Sequence, residues 1–321
     1  MSQPNATLPS LLSAHLAIAR FDHSIKNIFV IPGIVVALSM TGSAFTLEIA
    51  RNILLGVLAT TLIACSNYVI NEVLDAPFDR LHPIKRLRPA ARGAVNIRLA
   101  YVQWVAMMFL GILVSWRVSL KFAAVAAALW IMGCIYNIRP IRTKDVVYLD
   151  VLTESINNPL RMLLGWYMVT SSLVPPVSLL CCYWMIGCYF MALKRFSEFR
   201  EIRNVATAGA YRESFKRYTE RSLLESVTFY ASFAMLLFGA FIMRYRLELV
   251  LSFPFVAMMM ATYFDLAFKP NSSVQNPEKL YREPVLMVEL ALTSVVITTL
   301  LFVNIPLLAK LFTPSTPIMP S

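Results

Sequence analysis

The sequence predicts an all-α, polytopic membrane bundle of about nine transmembrane helices. Three observations carry this reading. Of the 321 residues, 58% are hydrophobic and only 15% charged, against roughly half apolar and a quarter charged in a soluble domain. Mean hydropathy is +0.64. Apolar runs that approach or exceed the roughly 20 residues needed to cross a hydrocarbon core recur along the whole chain.

The runs lie near 27–44, 53–74, 99–116, 120–138, 148–170, 174–193, 222–243, 247–268 and 284–309. Several contain Pro or Gly, which membrane helices tolerate when neighbours satisfy the freed backbone groups. Residues 1–26 read as a cytoplasmic tail, 27–309 as one transmembrane catalytic domain and 310–321 as a C-terminal tail. No A-x-A-like site closes a short apolar stretch near the start, so the tail is expected to be retained. With the N-terminus cytoplasmic, that side carries 22 Lys and Arg and the other side 6, an asymmetry that selects this orientation in a cell or inner membrane. The net charge of +11 then fits cytoplasmic loops, anionic headgroups or an anionic substrate rather than nucleic acid. The five cysteines, Cys65, Cys134, Cys181, Cys182 and Cys188, all fall in apolar runs without metal-ligand spacing, and read as small buried side chains.

The first long polar stretch, Asn71 to Pro89, follows the second run directly. Asp75 and Asp79 stand four apart, so a helix continuing through them projects both carboxylates from one face, about one turn apart. Like charges so placed repel, and a shared divalent cation removes the repulsion. Mg²⁺ takes one or two carboxylates and completes its shell with water and substrate phosphates. Arg80, Lys85, Arg86 and Arg88 follow, placed to meet phosphate oxygens. Spacing alone equally allows an ordinary acidic and basic membrane-proximal loop.

The second stretch runs from Tyr136 to Asp150 and includes Arg142, Lys144 and Asp145. Asp150 and Glu154 again stand four apart, now at the start of a run, so a second carboxylate pair enters the membrane from the same side. The two acidic clusters are expected to meet in one hollow. Arg161 lies inside the fifth run, where a cation is costly unless it faces a polar cavity or pairs with an acid such as Glu154 or a substrate phosphate. Lys194 and Arg195 stand level with both acidic stretches. Arg200 through Arg221 reads as a solvated amphipathic helix at the headgroups. His15 and His23 read as interfacial, His82 as a hydrogen-bonding loop residue, and Asp265 as a lesser contributor to the cavity. The chemistry of Asn276 to Lys279 is not legible from residues alone.

Asn71-Glu72-x-x-Asp75-x-x-x-Asp79 resembles the NDxxDxxxD motif of the UbiA superfamily of intramembrane prenyltransferases, and Tyr136 through Asp150 is similar to its second aspartate motif. The resemblance covers almost the whole chain. Lys26-Asn27, the Asp79 to Pro89 segment, Lys194-Arg195-x-x-Glu198, Arg212 to Tyr218 and Pro277-Glu278 look like the decaprenyl-phosphate phosphoribosyltransferase subgroup. The resemblance implies Mg²⁺-dependent loss of diphosphate from an activated carbon, with a polyprenyl lipid and a diphosphate-bearing donor as partners. It implies catalytic roles for Asp75, Asp79 and Asp150. The implied metal ligands are Asn71, Glu72, Asp75, Asp79, Asp145, Asp150 and Glu154. The implied substrate contacts are Lys26, Lys85, Arg86, Arg88, Tyr136, Arg142, Lys144, Arg161, Lys194 and Arg195. Glu72 departs from the usual Asp, and Arg139 to Asp145 is more basic than the subgroup's second motif, which leaves the donor open between phosphoribosyl and prenyl diphosphate. A prenyltransferase acting on an aromatic or other small acceptor is the alternative within the class. A secondary transporter for an anionic solute is the alternative outside it, although transporters gather ionisable residues near the midplane on broken helices, and here the acids sit at run ends.

Overall fold

A computed structural model describes residues 8–80, 85–202, 209, 212–275 and 277–312. His82 and Asn276 lie outside the described residues, as does the side chain of His23. The described residues form helices and turns without a strand. Helix α1 (Leu8–Ala19) leads into a 3-10 segment (Phe21–Val30) and α2 (Ile31–Thr41). Then follow α3 (Leu47–Asp79), α4 (Ile97–Val118), α5 (Leu120–Asn137), α6 (Leu149–Ser155), α7 (Asn157–Val169), α8 (Val177–Ile202), α9 (Glu220–Tyr245), α10 (Phe253–Phe268), α11 (Pro284–Phe302) and α12 (Pro306–Phe312).

Seven helical stretches are long and apolar enough to cross a membrane: α3, α4, α5, α8, α9, the Leu247–Phe268 stretch that contains α10, and α11. Two of the nine expected spans differ. The first is a shorter apolar helix, Lys26–Thr41. The fifth breaks between α6 and α7 at Ile156, because Pro159 has no amide hydrogen and its ring opposes the carbonyl four residues back. The Asn157 side chain also donates to the Glu154 carbonyl at 3.0 Å, diverting a backbone acceptor as short polar side chains do.

Helix α3 organises the first half. Thr46 caps it by accepting from the Ile49 amide at 3.3 Å. Its 33 residues span about 50 Å at 1.5 Å per residue, well beyond a hydrocarbon core of about 30 Å. The helix therefore extends past the core at one end or both. Asn96 and Ser119 cap α4 and α5, and Thr219 with Ser222 forms a reciprocal capping box on α9.

Helices α2 and α7 cross at backbone contact. A Cβ on Gly165 would meet the Val30 carbonyl oxygen at 1.9 Å, and one on Gly33 would meet the Met162 carbonyl oxygen at 1.9 Å. Only glycine allows this approach, as at other small-residue helix crossings in membranes. A large apolar core joins α2 and α7 to α8–α11, with two smaller clusters around α1 and α3–α5. Phe109 and Trp116 on α4, Leu236 on α9 and Val288 on α11 project outward, as expected where the solvent is lipid. The chain is an integral membrane protein.

Candidate active site

The connections after α3, α5, α8 and α10 all contribute to one cavity of about 2010 Å³. Its polar end is built from Asn71, Asp75 and Asp79 on α3, Lys85 and Arg88 beyond it, Arg142, Lys144 and Asp145 after α5, Glu154 on α6 and Lys194 and Arg195 on α8. Away from the connections the lining is apolar and includes Val36, Leu179, Phe238, Val256 and Leu301. Among the described residues, twelve Lys and Arg and nine Asp and Glu line it, an excess of three positive charges.

Helix α3 runs unbroken through Asp75 and Asp79, so both carboxylates face the cavity one turn apart. Asp75 Oδ1 accepts from Arg142 Nη2 at 3.0 Å and from Lys144 Nζ, and Asp75 Oδ2 accepts from Asn71 Nδ2 at 3.1 Å. Lys144 Nζ also donates to Asn137 Oδ1 at 2.9 Å, and that oxygen accepts from Asn71 Nδ2 at 2.6 Å. An ammonium thus sits in a seat of carboxylate and amide oxygens. Asp79 Oδ2 accepts from Arg88 Nη1 at 2.6 Å. Arg142 reaches Asp145 at 2.9 Å and stacks over Phe78 at 5.1 Å. Glu154 faces Tyr136, Lys26, Lys194 and Arg195, and Lys26 lies over the Tyr68 ring at 5.8 Å.

Two lysines outside the spans are held below their usual range. Burial pushes Lys85 down to about 8, with Glu198 opposing and Arg88 adding to the shift. Burial likewise pushes Lys144 down to about 8, against the attraction of Asp75 and with Arg142 adding to it.

Several expected site residues are placed elsewhere. Asp150 does not share the hollow with Asp75. It is fully buried and enclosed by Arg195 Nε at 3.2 Å, Arg212 Nη1 at 3.4 Å, Ser214 Oγ at 3.3 Å and the Tyr218 hydroxyl at 2.7 Å. Its two arginines do line the cavity, so Asp150 reaches the hollow only through them, and of the second acidic pair it is Glu154 that faces it. Glu72 lies at the cavity edge but is 2% exposed, taken by Arg20 Nε at 3.0 Å and the Ala90 amide at 3.5 Å. Arg86 is exposed and outside the lining. Asp265 is exposed and pairs with Lys269 at 3.6 Å. Within the segment expected to be a solvated amphipathic helix, the described residues Phe215 and Tyr218 are buried, and burial together with the Asp150 carboxylate raises the Tyr218 phenol well above its usual range. Sequence reasoning gave no individual role to Asn137, Arg20 or Ser214, although Asn137 and Ser214 lie inside the Tyr136–Asp150 and Arg212–Tyr218 stretches that carry the resemblance.

A divalent metal can be tested against these donors. Among the described residues no group of three or more His, Cys, Asp and Glu side chains forms a metal cluster. Asp75, Asp79 and Asn71 nevertheless supply two carboxylates and an amide on one cavity wall, which suits an ion that takes one or two carboxylates and fills its shell with phosphate and water. Asp150 is not part of the cavity wall, and Glu72 at the cavity edge is 2% exposed.

The model of the UbiA prenyltransferase family matches residues 28–283. Decaprenyl-phosphate phosphoribosyltransferase of Mycolicibacterium smegmatis is 26% identical over 224 residues, covering 69% of this chain and 68% of that one. The Mycobacterium tuberculosis protein of the same name is 26% identical over 242 residues, covering 74% and 78%. A solved UbiA homolog from Archaeoglobus fulgidus bound to GPP and Mg²⁺ superposes with a TM-score of 0.66 at 19% identity, covering 88% of this chain and 99% of that one. With its family matched over most of its length and its fold shared with a solved homolog, this chain belongs to the UbiA prenyltransferase family of membrane transferases.

Proposed function

We propose that the protein transfers phosphoribosyl from phosphoribosyl diphosphate to a polyprenyl phosphate. The observation that carries this is the cavity's composition, a cation-rich polar end around Asp75 and Asp79 joined to a long apolar arm. The two relatives covering about 70% of the chain or more bear that activity in their names. Asp75, Asp79 and Asn71 would hold Mg²⁺, which when bound neutralises diphosphate charge and eases departure of the leaving group. Lys85, Arg88, Arg142, Lys144, Lys194 and Arg195 bind phosphate oxygens, and the apolar arm takes the polyprenyl chain. An acceptor phosphate oxygen forms a bond to ribose C1 as the C1–O bond to diphosphate breaks, the electron pair leaving with diphosphate. Such centres pass through cation-like transition states, so fixed charge around the leaving group and exclusion of water favour transfer over hydrolysis. The polar end faces the cytoplasm in this reading, because the Lys and Arg excess lies there.

Incubating membranes with labelled phosphoribosyl diphosphate and polyprenyl phosphate, and in parallel with labelled polyprenyl diphosphate and an aromatic acid, tests it. Label in a phosphoribosylated lipid is expected from the first pair. Label only in a prenylated aromatic would establish the prenyltransferase alternative, and solute flux in proteoliposomes without covalent product the transporter.

A further inference from the structure

Arg161 is an anomaly that the diphosphate grip does not use. It lies one turn into α7, is 7% exposed and lines the cavity. Among the described residues no carboxylate lies within ion-pair distance of it. Its two polar contacts are long and neutral: Nε to Asn27 Oδ1 at 3.4 Å and Nη1 to the Asn157 carbonyl at 3.4 Å. The Asn27 amide is held in that orientation by donating to Thr61 Oγ1 at 2.9 Å. Buried charges are ordinarily paired, because an uncompensated ion in low dielectric costs several kcal/mol. Arg161 faces Tyr68, which lies seven residues before Asp75 on α3, about 10 Å deeper along the helix axis. Asn67 and Asn157, which also line the cavity, have side-chain oxygens buried without partners. The cavity thus holds a second level of polar groups around Tyr68, which Glu154 also faces, while Arg161 itself has no carboxylate within ion-pair distance among the described residues.

We infer that Arg161 is the anion-binding residue of a separate acceptor subsite, and that it takes the phosphate at the head of the lipid acceptor. The inference rests on the phosphoribosyl-transfer reading for the identity of the acceptor, and on geometry alone for the existence of the subsite. A guanidinium suits this task because its planar fork binds phosphate through two parallel hydrogen bonds. It also explains why an isolated cation persists there: the acceptor itself completes the ion pair, so a lipid alcohol without phosphate leaves Arg161 uncompensated and binds poorly.

The test uses the full chain in detergent micelles, with farnesyl phosphate, farnesol and Mg²⁺-diphosphate as probes, on wild type, Arg161→Gln and Arg161→Lys. Without ligand, Arg161→Gln is expected to raise the thermal midpoint, since it removes an unpaired buried charge. Farnesyl phosphate affinity is expected to fall by about tenfold or more in Arg161→Gln, the scale of one good charge-assisted contact. Arg161→Lys, which keeps the charge but not the fork, is expected to fall between wild type and Arg161→Gln, and farnesol and Mg²⁺-diphosphate binding to stay within about twofold in both variants. A lowered midpoint in Arg161→Gln with equal loss of both anionic probes would make the residue structural and overturn the inference. Farnesyl phosphate affinity unchanged in Arg161→Gln would overturn it as well. If farnesyl phosphate binding depends on Arg161 while the labelled assay yields no phosphoribosyl transfer, the parent reading fails and the anion subsite stands without its assigned acceptor. Transfer unaffected by Arg161→Gln overturns this one alone.

Discussion

Asp75 and Asp79 were legible because an i,i+4 spacing fixes their common face once the helix continues, as it does to Asp79. Asn substitution at either keeps size and removes charge. We expect each to abolish turnover, a loss exceeding the 10²–10³-fold or so typical of deleting one electrostatic stabiliser, while the protein stays folded in detergent. Full activity in either variant, independent of metal, would remove the proposed mechanism. Asp150 has the same spacing from Glu154 but a different fate, because spacing tells which residues share a face and not what approaches it. What approaches is a segment 62–68 residues downstream. Asp150→Asn leaves two guanidiniums without their shared anion, and breaking a buried pair costs about 3–5 kcal/mol, so its main effect is expected on the thermal midpoint and on donor KM. A change in metal dependence with the midpoint unmoved would return Asp150 to the metal. The lysines add a pH dependence. Lys85 and Lys144 titrate near 8, so kcat/KM, which reports the free enzyme, is expected to fall above about pH 8 as both lose their protons. Lys85→Arg and Lys144→Arg are each expected to extend the plateau upward. For stability the sign is opposite: the unfolded chain binds more protons than the folded one between about 8 and 10.5, so the thermal midpoint is expected to rise across that window.

At the scale of helices, composition located seven of the nine expected spans among the described residues, with the first present as a shorter apolar helix and the fifth broken in two. Hydropathy counts side chains, whereas the break at Ile156 comes from a missing amide at Pro159 and a competing Asn157 donor. The break has a use: it separates α6, which carries Glu154, from α7, which carries Arg161, so the two need not follow one helix axis. The crossing of α2 and α7 holds this arrangement through Gly33 and Gly165, and no sequence period marked either. Gly165→Ala drives a methyl group into the Val30 carbonyl, and we expect a loss of about 1–3 kcal/mol or more from overpacking, read as a lowered midpoint. Gly239 is the control. A Cβ there meets nothing within 4 Å, so Gly239→Ala is expected to leave stability unchanged or raise it by up to about 1 kcal/mol, the helix preference of alanine over glycine. Equal effects at both positions would mean that backbone contact between α2 and α7 does not hold the cavity in shape.

For the molecule as a whole in the proposed orientation, the charge asymmetry read from the sequence and the gathering of four polar connections at one end have one cause. Long basic loops are retained on the cytoplasmic side during insertion, and a site that binds several phosphates needs those same cations, so topology and chemistry use one set of residues. This links orientation to function in a way that labelling can examine. Ser43 and Lys269 are exposed at opposite ends of the bundle, beside α2 and α10, while the five native cysteines are buried or half-buried. In right-side-out vesicles a membrane-impermeant maleimide is expected to modify Ser43→Cys and to spare Lys269→Cys until the membrane is opened, with the reverse in inverted vesicles. The opposite pattern would put the Asp75–Asp79 wall on the outer face, where a phosphoribosyl diphosphate donor made inside the cell could not reach it. A prenyl diphosphate, carried in the bilayer by its own chain, would then be the more reasonable donor, so this one measurement bears on the substrate as well as the topology.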